Sequence, residues 1–423
     1  MRIALLIVLL AACSKSNPNY CEGHPDNNCM VDADVNAPQG CQANDDCTNA
    51  AKPLCDVGAK VCVACLDGDI GACSGATPVC TSEHTCAACA AHTDCDSRAC
   101  LPDGSCAMES QVAYVAASGT GNACTKMAPC PLVKDALGKN TLYIKIAAEG
   151  AAKDSSTVTI DGKTVTILAD PGATLDRDGD GPILEVRSAN ADVRIYDLEI
   201  TGATGTSGGD GVVVTANGGL PKLALTRVTV TENQGAGVSV SGGALTMSQC
   251  TISTNEGGGI SVAGIGSTFD ITNNYIFRNG DQDSGTYGGV NLSVAGAGSS
   301  RLEFNTIVDN RAAASTTRSG GVICDITGFA AANNIIARNS LSGSTAGSNA
   351  QTIGICTYPT SKTQADLTGL ELAHPDMAPF SYKLRAGSSA VDQATTASSV
   401  DVDADGDLRP QGAQKDIGAD ELE

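Results

Sequence analysis

Any chemistry in this 423-residue chain would have to come from 47 carboxylates, four histidines and thirteen tyrosines and phenylalanines. His24, His84, His92 and His374 all fall outside the long run of short Val/Ile/Thr segments, which therefore lacks the commonest general base. Two acidic runs have the spacing of oxygen cages. Asp401, Asp403, Asp405 and Asp407 alternate around Gly406, as a calcium loop requires, but Gly412 stands where an EF-hand carries Glu. Calcium is the one cofactor this run suggests; solvated turn carboxylates are the alternative. The second run, Asp176-Arg177-Asp178-Gly179-Asp180, is weaker because a cation sits inside it. Tyr275 and Phe277 flank Ile276, so strand alternation turns both outward. The same rung inserts Gly280–Gly288, with Asp281, Asp283 and Tyr287, and the next rung inserts Arg311–Ser319, with Arg318. These six side chains form the candidate ligand-binding set: a wall beside two aromatic faces on which sugar rings would stack. The competing expectation is that the insertions fold back over the aromatics. No catalytic residue is assigned.

The elements that must position these groups follow from composition. With 26 basic side chains the formal charge is −21, which disfavours nucleic acid, whose phosphate backbone dominates such binding. Forty-eight glycines argue against a coiled coil. The only long apolar run, Ile3–Leu10, is too short to cross a bilayer as a helix but suits the core of an export signal. Leu10-Ala11-Ala12-Cys13 resembles a bacterial lipobox. That resemblance implies cleavage before Cys13, lipid attachment to its thiol and membrane anchorage by acyl chains. Ser14, in place of Asp, favours the outer membrane or cell surface. Residues 1–12 are then the signal peptide and 13–40 a flexible tether.

Fourteen of the twenty cysteines lie between Cys21 and Cys106, a density that marks a disulfide scaffold. Cys41, Cys47, Cys55 and Cys62 form one set; Cys65, Cys73, Cys80 and Cys86 a second; Cys89, Cys95, Cys100 and Cys106 a third. The first cysteines of successive sets are 24 residues apart, so 41–109 reads as three four-cysteine modules. Zinc and redox readings of the two CxxC joints are disfavoured in an exported chain, and the pairing within a module stays open.

From Tyr114 a different repeat begins. Val230, Ile252, Ile276, Ile307 and Ile336 continue a column that starts at Ile200, while Asn233, Asn255, Asn279, Asn310 and Asn339 form a second. The asparagines are 22, 24, 31 and 29 residues apart, so the strands stay constant and the turns vary. Short β-branched strands returning every 22 residues or so describe the coils of a parallel β-helix. The Asn column is expected at corners, where Asn tolerates left-handed backbone and stacked amides bond to one another. The fold class is all-β: a right-handed parallel β-helix over 110–380, preceded by the disulfide-rich region.

The pattern resembles the β-helix proteins related to pectate lyases over some 230 residues. Tyr114–Cys124 and Pro129–Leu137 are similar to that family's entry strand and cap helix, and the resemblance implies a Cys124–Cys130 disulfide. Cys324 and Cys356 are expected to pair across the last rungs, and Cys250 to be a buried small hydrophobe. Leu384–Asp392, Asp405–Pro410 and Asp416–Ala419 resemble the closing motif of surface β-helix proteins called choice-of-anchor Q, though Asp420 replaces an aromatic. Residues 381–423 are accordingly expected to cap the solenoid. Lyases of the family use clustered calcium-binding carboxylates with an Arg or Lys base, whereas the outward positions here are Thr229, Thr231, Thr251, Ser253, Thr306 and Val308. The leading expectation is a monomeric, lipid-anchored display scaffold that binds carbohydrate or another surface protein. The alternative is a polysaccharide lyase or hydrolase working along the β-helix groove.

Overall fold

The computed structural model describes residues 40–67, 72–205, 208–296, 298–342, 348–395 and 397–423. Cys13, Cys21 and Cys29 lie outside them. The chain divides into two compact units. In the smaller one, Leu54–Asp56 pairs antiparallel with Val61–Val63. Four disulfides join Cys41 to Cys55, Cys47 to Cys62, Cys65 to Cys80 and Cys73 to Cys86. Each module thus links its first cysteine to its third and its second to its fourth. With so few large apolar side chains, these interlocked bonds replace a core, each contributing roughly 2–4 kcal/mol.

The third module repeats the pattern through Cys89–Cys100 and Cys95–Cys106, but it belongs to the larger unit. Ala99 and Ala107 are buried against Val112, Tyr114 and Leu168, and the Tyr114 hydroxyl donates to Ser97 O at 2.7 Å. The modules expected together over 41–109 therefore divide, because small side chains on the third let it pack closely on a sheet.

That sheet is one of three in a right-handed parallel β-helix, each of eight strands among the described residues. The first sheet runs from Val158–Asp161 to Thr352–Gly354, the second from Val112–Val115 to Arg301–Glu303, the third from Thr174–Leu175 to Lys362–Gln364. In the third, Ile200, Val230, Ile252, Ile276, Ile307 and Ile336 are in register and fully buried. β-Branched residues fit such columns because identical shapes stack at the ~4.8 Å strand spacing.

Each column asparagine donates its Nδ2 to the Oδ1 of the next: Asn233 to Asn255 at 2.9 Å, Asn255 to Asn279 at 2.9 Å, Asn279 to Asn310 at 3.0 Å and Asn310 to Asn339 at 3.0 Å. Gln351 Oε1 closes the series at 3.0 Å. The left-handed backbone, however, is one residue earlier, at Glu232, Thr254, Arg278, Asp309 and Arg338, with φ between 52° and 58°. The asparagine is thus selected for its inward amide, not for the bend. A second ladder at the other end of the third sheet was not anticipated. Asn274 Nδ2 donates to Asn305 Oδ1 at 2.9 Å and Asn305 Nδ2 to Asn334 Oδ1 at 3.1 Å. Cys250 occupies the preceding rung of that ladder, fully buried and unpaired with any other cysteine.

At the N-terminal end the helix Val133–Leu137 buries Val133, Ala136 and Leu137 in the core, and the Cys124–Cys130 disulfide ties the entry loop. Cys324 and Cys356 are bonded in the last turns. The C-terminal segment does not simply close the end, as a cap over 381–423 would. It lies along the outer face of the third sheet, where Leu370, Tyr382, Leu384, Ala390 and Ile417 pack on Phe304, Val308, Ile335 and Ala337. It reaches back to Gln249, whose side chain donates to Asp403 O at 3.0 Å, and to Asn273, which donates to Val402 O at 2.7 Å. The reason lies in the outward residues: threonines in earlier rungs give way to Phe277, Val308, Ile335 and Ala337 in later ones, and that apolar surface needs cover.

Candidate functional site

The wall expected around Tyr275 and Phe277 does not form a binding face. Both rings pack under the C-terminal segment, Phe277 with its centroid 4.8 Å from that of Tyr382, and the Tyr275 hydroxyl donates to Asp420 Oδ1 at 3.2 Å. Tyr287 is buried on Gly258, where any Cβ would fall 2.5 Å from its ring. Asp281 accepts from Asp283 N and Ser284 Oγ, both at 2.8 Å, and so caps its own turn; those bonds hold its carboxyl below the usual range. Asp283 is exposed and Arg318 half-buried. The aromatics are covered, but by the C-terminal segment and not by the insertions, a long-range contact invisible in local alternation.

The acidic run is also divided. Asp401 pairs with Lys415 at 3.0 Å and Asp405 with Lys383 at 2.9 Å. Asp403 is fully buried and accepts from the amides of Asp405, Asp407 and Glu421. The carboxylates that approach one another are Asp403, Asp405 and Asp420, with oxygens within 4.8 Å, so neither Asp401 nor Asp407 joins them. Burial, then the charges of Asp403 and Asp405, push Asp420 up to about 7. Because Lys415 holds Asp401 and Asp407 stands apart, the four carboxylates Asp401, Asp403, Asp405 and Asp407 do not converge as the calcium loop expected there requires. Arg177 plays the same part in the earlier run: its guanidinium, almost wholly buried, donates to Ser155 O, Thr157 Oγ1, Asp180 O and Pro182 O. The outward positions of the third sheet bring no carboxylate pair beside an Arg or Lys base, so the calcium-dependent lyase arrangement has no counterpart there.

A cavity of about 830 Å³ opens between the third disulfide module and the outer face of the second sheet. Leu101, Pro102 and Ala88–Thr93 line one side; Leu168–Pro171, Tyr196, Asp197 and Arg227 line the other. Tyr196 ends a strand of the second sheet, and Asp197 and Arg227 are left-handed corner residues of successive turns. Arg227 binds Asp197 through two hydrogen bonds of 2.6 and 2.8 Å while its guanidinium sits 5.9 Å from the Tyr196 centroid. His92 bridges the two sides: Nδ1 accepts from Cys100 N at 3.1 Å, which leaves Nε2 to donate to Ala169 O at 3.2 Å. Burial, reinforced by the Lys145 ammonium, lowers the His92 pKa and favours this neutral form. Lys145 is itself buried and paired with Asp170 at 2.6 Å.

The cavity thus offers a half-buried aromatic ring, an apolar wall, the paired Asp170, Asp197 and Arg227, and Asp103, which accepts from Ser105. That set suits retention of a ligand. Sequence reading missed it because Tyr196 and His92, 104 residues apart, meet only when the module docks. The one legible signal was an aromatic at an outward strand position.

Residues 210–364 match the family model described as "Right handed beta helix region". No curated protein matches the chain. Among solved structures, the crystal structure of pectate lyase Pel9A is similar at 14% identity and a TM-score of 0.44, covering 74% of this chain and 96% of that one. That likeness carries no inference about activity.

Proposed function

We propose that this chain is an exported, lipid-anchored envelope protein that acts as a monomeric binding scaffold, with a saccharide taken in the cavity beside Tyr196. The observation that carries the reading is the half-buried Tyr196 ring in an apolar-walled cavity with the Asp197–Arg227 pair at its side. Binding sites of this size combine apolar walls with a few fixed polar groups, and a tyrosine face offers a flat apolar body to the C–H side of a pyranose. Asp197 and Asp170 are each held by a cation, which favours holding a sugar over cleaving it. Anchorage rests on the Leu10-Ala11-Ala12-Cys13 pattern, and the tether to Gly40 would set the scaffold away from the lipid surface.

The test is a polysaccharide array on the full chain processed at Cys13, beside the Tyr196→Ala variant. Retention of a glycan by the parent and at least tenfold weaker retention by the variant is the expected outcome. Release of cut products, or equal retention by both proteins, overturns the site. Incorporation of labelled fatty acid in the parent but not in Cys13→Ala tests the anchor separately.

A further inference from the structure

The first and third cysteine modules are built alike around one side chain. In the first, Asn44–Asp46 forms a single 3₁₀ turn after Cys41; in the third, His92–Asp94 forms the same turn after Cys89. Asp46 Oδ2 accepts from the amides of Gln42 and Ala43, as Asp94 Oδ2 does from those of Ala90 and Ala91. Asn44 Oδ1 then accepts the amide of the module's third cysteine, Cys55, at 2.9 Å, and at the same place His92 Nδ1 accepts the amide of Cys100 at 3.1 Å. A neutral asparagine therefore suffices to build the module. What histidine adds is its second nitrogen, which crosses to Ala169 O, at the end of the strand Thr164–Ala169 in the second sheet, at 3.2 Å.

This pair of bonds requires a neutral ring. A backbone N–H only donates, so Nδ1 must keep its lone pair. The Cys100 amide has little freedom to turn away, because the residue is tied to Cys89 by a disulfide and to Cys106 by a β-bridge. A proton on Nδ1 sets two donors face to face. The charged groups around the ring are already engaged: on the sheet side, Lys145 with Asp170 at 2.6 Å and Asp197 with Arg227 through two bonds; on the module side, Asp94 with two backbone amides and Asp103 with Ser105. Burial and then the Lys145 ammonium hold the ring below the usual histidine value, and Asp170 and Asp197 offset this only in part. The rest of the junction consists of Ala99 and Ala107 against Val112, Tyr114 and Leu168, with bonds from Tyr114 to Ser97 O and from Lys126 to Asp96 O. Of these contacts, the His92 bridge is the one that titrates near neutral pH.

We propose that His92 is a pH-sensitive latch, which holds the third module on the second sheet while its ring is neutral and releases the module when the ring takes up a proton. Docking is then fully supported above the ordinary histidine value of about 6.5 and weakens as pH falls through the lower value of the docked ring. Release uncovers the Tyr196 cavity, and the latch stands whether or not a sugar binds there.

The experiment is amide hydrogen exchange of the full chain at pH 7.5 and pH 5, with each rate divided by its intrinsic rate at that pH, in the parent and in His92→Asn. In the parent, protection across Cys95–Cys106 should fall at the lower pH by roughly fivefold or more, the change in an equilibrium that one lost hydrogen bond brings. Amides in the later turns, such as that of Thr306, should keep theirs. His92→Asn retains an acceptor for the Cys100 amide, as Asn44 does for Cys55, so the module should still form, and its protection should be the same at both pH values. Nitrogen NMR of the histidine rings in the parent is the second measurement: His92 should titrate with a midpoint below the ordinary value. A loss confined to the Cys100 amide shows a broken bond without release and overturns the latch. So does an equal pH response in parent and His92→Asn, or a ring midpoint at or above the ordinary value.

Discussion

Replacing Asn279 by alanine probes how the β-helix is held at its corner. Asn279 is fully buried and makes four side-chain-mediated bonds. Its Oδ1 accepts from Asn255 Nδ2 at 2.9 Å and from Asn255 N at 3.1 Å. Its Nδ2 donates to Ile252 O at 2.8 Å and to Asn310 Oδ1 at 3.0 Å. Asn279→Ala removes all four and leaves the Asn255 amide buried without that acceptor. At about 1 kcal/mol net per bond, with more for an orphaned donor, the expected loss is roughly 3–5 kcal/mol. Asn291→Ala is the control: it is half-buried and donates once, to Ser261 Oγ at 3.3 Å, so its cost should stay below about 1 kcal/mol. Stacked repeats need not unfold in one step, so denaturation should be paired with hydrogen exchange read residue by residue. The Asn255 amide should lose protection in Asn279→Ala and keep it in the control. A cost under about 1 kcal/mol with Asn255 still protected would refute the ladder as a source of stability.

Three further outcomes follow from the same coordinates. Burial pushes the Cys250 thiol up to about 12, so it should resist alkylation at pH 8 in the folded chain and react only on unfolding; rapid labelling of native protein would contradict its place in the core. Asp420, raised to about 7 against an unfolded value near 3.9, favours the folded state below pH 4 and loses that contribution as pH rises through 7. Asp420→Asn should therefore gain thermal stability relative to the parent progressively as pH rises from 4 to 7, with no gain below pH 4, and melting curves that shift in parallel across this range would exclude the assignment. Removing the Cys324–Cys356 bond, which spans 32 residues, should cost roughly 3–4 kcal/mol by loop entropy, seen as a lower denaturation midpoint for the double Ser variant.

The sequence alone was enough for what depends on periodicity. The Ile200–Ile336 column and the Asn233–Asn339 series could be aligned by eye because a parallel coil places like on like, so the demand at each rung is local and repeats. The three cysteine sets were legible for the same reason, though their first-to-third pairing was not, since four cysteines allow three connectivities. Tertiary structure decided everything that joins distant segments. Tyr275 and Phe277 do point outward, as alternation requires, yet outward is not exposed once Tyr382 and its neighbours arrive from the C-terminal segment. Alternating carboxylates at Asp401–Asp407 looked like one cage, but Asp401 is held by Lys415 and stays outside with Asp407, while Asp420 enters from beyond the run. The Tyr196 cavity lies between β-helix turns and a segment far away in sequence. A chain specifies its repeats through neighbours along a column, whereas its sites arise where non-repeating segments dock, and only the folded chain determines which charges remain unpaired there.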